Sequence, residues 1–265
     1  MRSGERSMFL KELFAGIISY KKANQVILKY RLWPWLAIPG ILSFCYILIL
    51  AILGVIYFSG MSEYVNEKWI PGLISGDTTY VIVSILLWLF LIIIGYLSYQ
   101  QIVLIFFSPV LGFLSEIVEK RIYNQEPPKF QIKDFFQDIM RSLIINLRNI
   151  GWMLFFTLMA WLIGIVPLIG AIFSPVLIFL IQSYYGGFGL IDYTLERKRY
   201  TVSESIGFAH KNRARVTGVG MGFILLLLIP LIGWFFAPGY GATAATLAVL
   251  EKINQEQAVS KTQMD

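Results

Sequence analysis

Two long stretches without charge dominate the hydrophobic pattern of the chain. The first covers about residues 32–58 and the second about residues 80–107. A helix needs about 20 mostly apolar residues to cross a bilayer, and both stretches are longer than that. The pattern therefore predicts two transmembrane helices. We expect the second to continue as a helix beyond Pro109 to Arg121.

Two later apolar regions, 149–189 and 216–250, are each interrupted by the same four-residue motif. Pro167-Leu168-Ile169-Gly170 recurs 63 residues later as Pro230-Leu231-Ile232-Gly233. The first arm of the second region has only about 13 apolar residues, which rise about 20 Å as a helix, whereas the hydrocarbon core is about 30 Å thick. Since proline stops a helix and glycine permits a turn, we predict two re-entrant hairpins. Their predicted apices are Pro167, Gly170, Pro230 and Gly233.

Four complete spans with tight outer turns are the alternative to these hairpins. The repeat itself extends beyond the apices, because Ser174-Pro175 and Ala237-Pro238 follow them at the same spacing. In addition, the five-residue motif at 107–111 recurs unchanged at 173–177. Internal repeats with proline-interrupted short segments are typical of transport sites in membrane carriers.

Three further segments, at about 8–28, 130–147 and 203–215, place apolar and charged residues at helical spacing. This pattern is typical of amphipathic helices that lie in the membrane interface. The sequence as a whole therefore predicts an all-α integral membrane protein. It would have two long transmembrane helices, two half-penetrating hairpins and interfacial helices.

The same boundaries divide the chain into three parts. Residues 1–31 form a cytoplasmic or interfacial amphipathic segment, and residues 32–250 form a single membrane domain. Residues 251–265 are polar, and we expect them to be disordered.

The distribution of basic residues predicts the orientation. Of the 22 Lys and Arg, only Lys68 lies between the two long apolar stretches. Cytoplasmic loops carry the excess of positive charge, so the N-terminus is expected in the cytoplasm and the loop over 60–79 outside. The basic loops over 120–148 and 197–215 lie on the cytoplasmic side by the same rule.

Composition excludes several classes of protein. Hydrophobic residues make up 57% of the chain and charged residues 14%, well below the roughly 25% of a soluble domain. One cysteine and one histidine exclude a disulfide framework and a His-rich metal centre. We expect neither an enzyme nor a bound metal, cofactor or nucleic acid. The expected partners are the lipid bilayer and a small solute.

Seven short motifs follow one another along the chain in a specific order. They are the stretch over 108–116, Ile165 to Gly170, Ser174-Pro175-Val176, Asp192-Tyr193, Ile229-Pro230-Leu231, Ala237-Pro238 and Gly241-Ala242-Thr243. In this order they resemble the CysZ-type sulfate permease family, whose wider group includes the etoposide-induced 2.4 protein. The stretch over 108–116 is similar to the family's Ala-Pro-Phe-Asn-x-Leu-Leu-Ala-Glu, and the resemblance runs from Phe14 to about Leu250.

The resemblance implies two long spanning helices, two half-penetrating hairpins and a homo-oligomer. It also implies sulfate uptake through the bacterial inner membrane for cysteine synthesis. Two positions depart from the family pattern. Arg31-Leu32-Trp33-Pro34 stands where the family has a Gly-Leu/Ile-Arg-Arg motif before the first span. Leu111 stands where the family has an asparagine.

An oxyanion such as sulfate is bound by N–H donors and positive charge in a partly dry pocket. Basic residues precede the first span and flank the entries to both hairpins. The predicted anion ligands are Lys29, Arg31, Arg141, Arg148 and Arg213. Anchoring at the membrane interface is the alternative role for each of them.

Two acidic residues, Glu116 and Glu119, lie one helical turn apart. We predict that they pair with Arg141, Arg148 or Arg213, and a proton route is the alternative. For the protein as a whole, a transporter or channel for a small oxyanion is the leading hypothesis. A non-transporting scaffold that shapes the membrane is the alternative.

Overall fold

The computed structural model describes residues 3–68, 77–123, 132–166, 169–229 and 232–262 of the 265-residue chain. Within these ranges the chain is helical and has no strand, which confirms the prediction of an all-α protein. The helices are α1 (Ser3–Tyr30), α2 (Trp33–Lys68), α3 (Asp77–Phe106), α4 (Ser108–Ile122), α5 (Ile132–Gly164), α6 (Ile169–Arg197), α7 (Val202–Lys211), α8 (Arg213–Leu227) and α9 (Ile232–Thr262).

Three helices in the described ranges are long and apolar enough to cross a membrane. They are Trp33–Phe58 in α2, Met140–Gly164 in α5 and Gly170–Arg197 in α6, while α3 contributes the apolar stretch Val81–Ile92. Large apolar side chains such as Phe44 on α2 lie on the outside of these helices. Since water would not tolerate so much contiguous apolar surface, these faces meet lipid, and the protein is a membrane protein.

The predicted continuous helix through Pro109 is wrong. The chain breaks at Phe107, whose φ is −92° and ψ 0°, and α4 begins at the next residue. Proline lacks an N–H and clashes with the preceding turn in a helix interior, but it fits within the first turn of a new helix. Pro109 therefore marks the start of α4 and not the middle of α3.

Both predicted hairpin regions contain a helix break at the expected place. Helix α5 ends at Gly164 and α6 begins at Ile169, while α8 ends at Leu227 and α9 begins at Ile232. After each break the glycine N–H donates to a carbonyl four residues earlier, from Gly170 to Val166 at 2.8 Å and from Gly233 to Ile229 at 2.9 Å. The apices Pro167 and Pro230 lie outside the described residues.

The two hairpins differ in their surroundings, because α8 is buried between α1 and α6. Gly218 and Gly220 lie on opposite sides of α8. A Cβ at Gly218 would overlap the carbonyl oxygen of Leu13 on α1, and a Cβ at Gly220 would overlap that of Ser183 on α6. The glycines therefore let three backbones approach closely, as small residues do between membrane helices.

The C-terminal segment corrects a second prediction. Residues 251–262, which the sequence predicts to be disordered, continue α9 as a helix. An ion pair between Glu251 and Lys22 of α1, with 2.7 Å between Oε2 and Nζ, ties this polar part of α9 to the N-terminal helix. Helices α1, α8 and α9 contact one another and form one layer of the core.

Candidate functional site

The two cations predicted before the first span lie at the junction of α1 and α2. Arg31 adopts a φ of 52°, and its N–H donates to the carbonyl of Leu28 at 3.4 Å, so the chain leaves α1 through a left-handed residue. The Lys29 ammonium lies 5.2 Å from the ring centroid of Tyr30. Both cations are exposed. Their role as anion ligands stays a prediction.

Arg141 is held by groups of α6, α7 and the turn between them. Its guanidinium donates two hydrogen bonds to the carboxylate of Asp192, at 3.0 and 3.2 Å. It also donates to the carbonyl of Tyr200 at 3.0 Å and to the hydroxyl of Ser205 at 2.9 Å. Glu196 lies 3.4 Å away. Since its donors are engaged by protein groups, Arg141 fastens α5 to its neighbours in this structure.

The two acidic residues of α4 have other partners than the predicted arginines. Glu119 pairs with Arg197 at 2.9 Å and with Lys198, and Glu116 pairs with Lys120 at 3.1 Å. Arg197 also donates to the hydroxyl of Ser115 at 2.9 Å. These contacts tie α4 to the C-terminal end of α6.

A second charge cluster, which was not predicted from the sequence, joins α1, α8 and α9. Arg215 is nearly buried and pairs with Glu12 at 2.9 Å and with Glu251 at 3.4 Å. Lys252 pairs with Glu12 at 2.7 Å. Burial raises the pKa of Glu12, but hydrogen bonds from Lys252 and Arg215 and their charges outweigh it and hold that pKa below its usual value. The sequence contains one signal for this cluster, which is the position of Arg215 in a glycine-rich apolar helix. A charge buried in such a helix needs a partner of opposite charge.

A cavity of about 670 Å³ opens between α1, α6, α7 and α8. We call it the basic pocket, and its lining residues are Arg6, Phe9, Leu10, Tyr184, His210, Arg213 and Thr217. This described lining contains two arginines and no carboxylate. Tyr184 and His210 stack across it with ring centroids 6.3 Å apart, and the Tyr184 hydroxyl lies 3.5 Å from His210 Nδ1.

The basic pocket brings together residues that are distant in sequence. Arg213 was predicted as an anion ligand, and Arg148 interacts electrostatically with Tyr184 and Tyr185 beside the pocket. Arg6 was missed, because only the packing of α1 against α8 brings it close. Lys29, Arg31 and Arg141 do not line this pocket in the described structure.

The chemistry of the basic pocket suits an oxyanion. Guanidinium groups form charge-assisted hydrogen bonds with sulfate-like oxygens, and hydroxyl groups add neutral donors. One water molecule takes up about 30 Å³ of the liquid, so the cavity has room for an oxyanion with part of its hydration shell.

Comparison with known proteins shows the family of this chain. The family model described as "Sulfate transporter CysZ/Etoposide-induced protein 2.4" matches residues 19–238. The chain belongs to this family. The matched range includes all five predicted anion ligands, whereas Arg6 precedes it.

Several relatives in this CysZ family are named "Sulfate transporter CysZ". The protein of Vibrio cholerae is 26% identical over 223 residues, which is 80% of this chain and 88% of the relative. The protein of Salmonella typhimurium is 23% identical over 223 residues, covering 80% and 87%. For the protein of Pseudomonas fluorescens, 25% identity extends over 158 residues, so that match spans 59% of this chain and 63% of the relative.

Proposed function

We propose that this protein is a transporter or channel that carries a small oxyanion, sulfate first, across the bacterial inner membrane. The observation that carries the proposal is the family match over residues 19–238, because the relatives described above are named sulfate transporters. Uptake of sulfate would supply sulfur for cysteine synthesis. A homo-oligomer in the bilayer is part of the same proposal.

The basic pocket supports an anionic substrate. Arg6 and Arg213 bring two positive charges to its lining, and Thr217 and Tyr184 offer hydroxyl groups. We assign the binding of sulfate on the cytoplasmic side to this pocket. Arg148, which lies in the membrane-spanning part of α5, would extend the positive field from Tyr184 into that helix.

The basic residues also support an orientation. In the proposal the N-terminus and the basic loops face the cytoplasm, and hairpins α5–α6 and α8–α9 enter the membrane from that side and return to it. Non-helical backbone at the hairpin tips is tolerated in a membrane where protein or a water-filled cavity surrounds it.

The test is uptake of radiolabelled sulfate into proteoliposomes, with chloride, phosphate and sulfite as competitors. Arg213→Gln, which removes a charged donor of the basic pocket, is expected to lower uptake at low sulfate roughly tenfold. Arg121→Gln is the matched control, because Arg121 is an exposed arginine on α4 outside the pocket. Arg31→Ala tests the α1–α2 junction as the competing site.

The outcomes separate the two functional hypotheses. Saturable sulfate uptake supports the proposal, and saturable uptake of a different anion keeps the transporter and replaces the substrate. A folded, correctly oriented protein that passes no anion but changes the curvature of the vesicles would favour the membrane-shaping scaffold.

A further inference from the structure

Helix α5 carries a polar stripe inside its membrane-spanning segment. Ser142, Asn146, Asn149, Met153 and Thr157 recur at intervals of three or four residues, so they share one face of the helix. All five are buried or half-buried. From the first to the last the stripe extends about 22 Å along the helix axis, at 1.5 Å per residue, which is most of the hydrocarbon thickness.

The outer face of the same helix has the opposite character. Leu154, Phe155 and Leu158 are 50 to 58% exposed, as expected for side chains that meet lipid. The polar stripe therefore faces the protein interior, where α5 packs against α3, α4 and α6.

Most side-chain polar atoms of this stripe have no hydrogen-bond partner among the residues that the structure describes. Both side-chain amide atoms of Asn149, the hydroxyl of Ser142 and the hydroxyl of Thr157 are buried without a hydrogen bond. The hydroxyl of Ser108, at the start of the neighbouring helix α4, is also buried and unpaired. Asn149 is only 3% exposed and Ser142 is fully buried. Buried polar groups in proteins are almost always satisfied, so four such side chains together indicate missing partners.

We propose that Ser108, Ser142, Asn149 and Thr157 line a hydrated path for the anion along the inner face of α5. The inference rests on the proposed function and deepens it by naming the groups that the incoming anion meets before it reaches the basic pocket. Arg148, adjacent to Asn149 in sequence, interacts electrostatically with Tyr184 of the basic pocket and so links the two regions.

Neutral donors suit the middle of such a path. Hydroxyl and amide groups can replace part of the hydration shell of an oxyanion, and without a full charge they do not hold it too tightly to leave. The positive charges lie at the basic pocket, on the cytoplasmic side of the path, where they attract the anion.

The test combines two readouts on single-cysteine variants in a Cys45→Ser background. Ser142→Cys, Asn149→Cys and Thr157→Cys are exposed to a small charged thiol reagent in proteoliposomes, with and without sulfate. Leu154→Cys and Leu158→Cys, on the lipid face of α5, are the controls. We expect at least tenfold faster modification of the stripe than of the controls, and slower modification when sulfate is present.

The second readout is sulfate uptake by Asn149→Leu and Thr157→Val, which remove the unpaired groups with little change of size. Since each removes an unpaired polar group, both variants should be at least as heat-stable as the wild type. Their uptake should nevertheless fall, roughly tenfold for Asn149→Leu, because a charge-assisted hydrogen bond to the anion is lost.

The inference is overturned if the stripe cysteines react no faster than the lipid-facing controls, or if sulfate does not protect them. It is also overturned if both substitutions leave wild-type uptake unchanged. Absence of uptake by the wild type overturns the proposed function instead, and sulfate protection of the stripe would then still support an anion site on α5.

Discussion

Gly170 lies against the carbonyl oxygen of Ile163, so close that a Cβ at position 170 would overlap that oxygen. Gly233 has the same relationship with the carbonyl of Leu226, 63 residues further along the chain. Neither glycine has a positive φ. Each hairpin thus needs glycine at this position, because the backbone of its first helix leaves no space for a Cβ. The sequence repeat therefore corresponds to a repeated contact.

The first prediction concerns this contact. Gly170→Ala should lower the stability of the protein by about 2 kcal/mol, since the backbone carbonyl of Ile163 cannot move away from the new methyl group as a flexible side chain can. Gly151→Ala is the control, because a Cβ at position 151 meets nothing within 4 Å. Thermal unfolding in detergent should show a lower Tm for the first variant only.

In an exposed helix position, alanine stabilises the helix by up to about 1 kcal/mol relative to glycine. Gly151→Ala should therefore leave the Tm unchanged or raise it. Equal Tm values for the wild type and for Gly170→Ala would contradict the contact.

The second prediction concerns Arg141 and Asp192. Asp192→Asn or Arg141→Gln alone should destabilise the protein by about 3 kcal/mol, because each leaves a buried charge without its partner. The double variant should recover part of this loss, which a double-mutant cycle of unfolding free energies measures. The exposed pair Lys211–Glu256 is the control, with an expected coupling below about 1 kcal/mol. Additive losses at Arg141 and Asp192 would show that the pair does not act as a unit.

The third prediction concerns acid. The pKa of Glu12 is lowered in the folded protein, whereas an unfolded glutamate has a pKa of about 4.3. Its contribution to stability is therefore complete above about pH 4.3 and is lost as the pH falls through the lower, folded value. The pKa of Glu251 is also lowered, because hydrogen bonds and positive charge from Lys22 and Arg215 outweigh the effect of its burial.

Acidification below about pH 4 should thus lower the Tm, and Tm measured against pH checks this. Glu12→Gln should be less stable than the wild type at pH 7 and should lose less on acidification. Parallel Tm curves for the two proteins would contradict a role of the Glu12 carboxylate.

The fourth prediction concerns the depth of the hairpins. In a Cys45→Ser background, Val166→Cys and Ile229→Cys at the tips should resist an impermeant thiol reagent added outside, whereas Glu63→Cys should react. Lys120→Cys should react only from the opposite side. Outside labelling of Val166→Cys as fast as that of Glu63→Cys would favour four complete spans.

Local features of the sequence were sufficient for much of the fold. Uncharged stretches and the two Pro-Leu-Ile-Gly motifs act through the helix that contains them or its immediate neighbour. They predicted helices and the helix breaks after Gly164 and Leu227.

Features that depend on distant partners could not be predicted in the same way. Residues 251–262 have little hydrophobic pattern, and contacts with α1, such as Glu251 with Lys22, accompany their helical structure. Likewise, Arg6 and Arg213 lie on different helices, and only the packing of α1 on α8 brings them to one pocket. The partner of Arg141 was missed for the same reason.

The central claim is that this protein carries sulfate, and isotope exchange tests it most directly. Vesicles containing the purified wild type are loaded with unlabelled sulfate, and entry of labelled sulfate is compared with that into protein-free vesicles that retain an entrapped dye. The account predicts saturable entry that unlabelled external sulfate suppresses, with no loss of dye. Entry no faster than into protein-free vesicles, from protein shown to be folded and inserted, would contradict it.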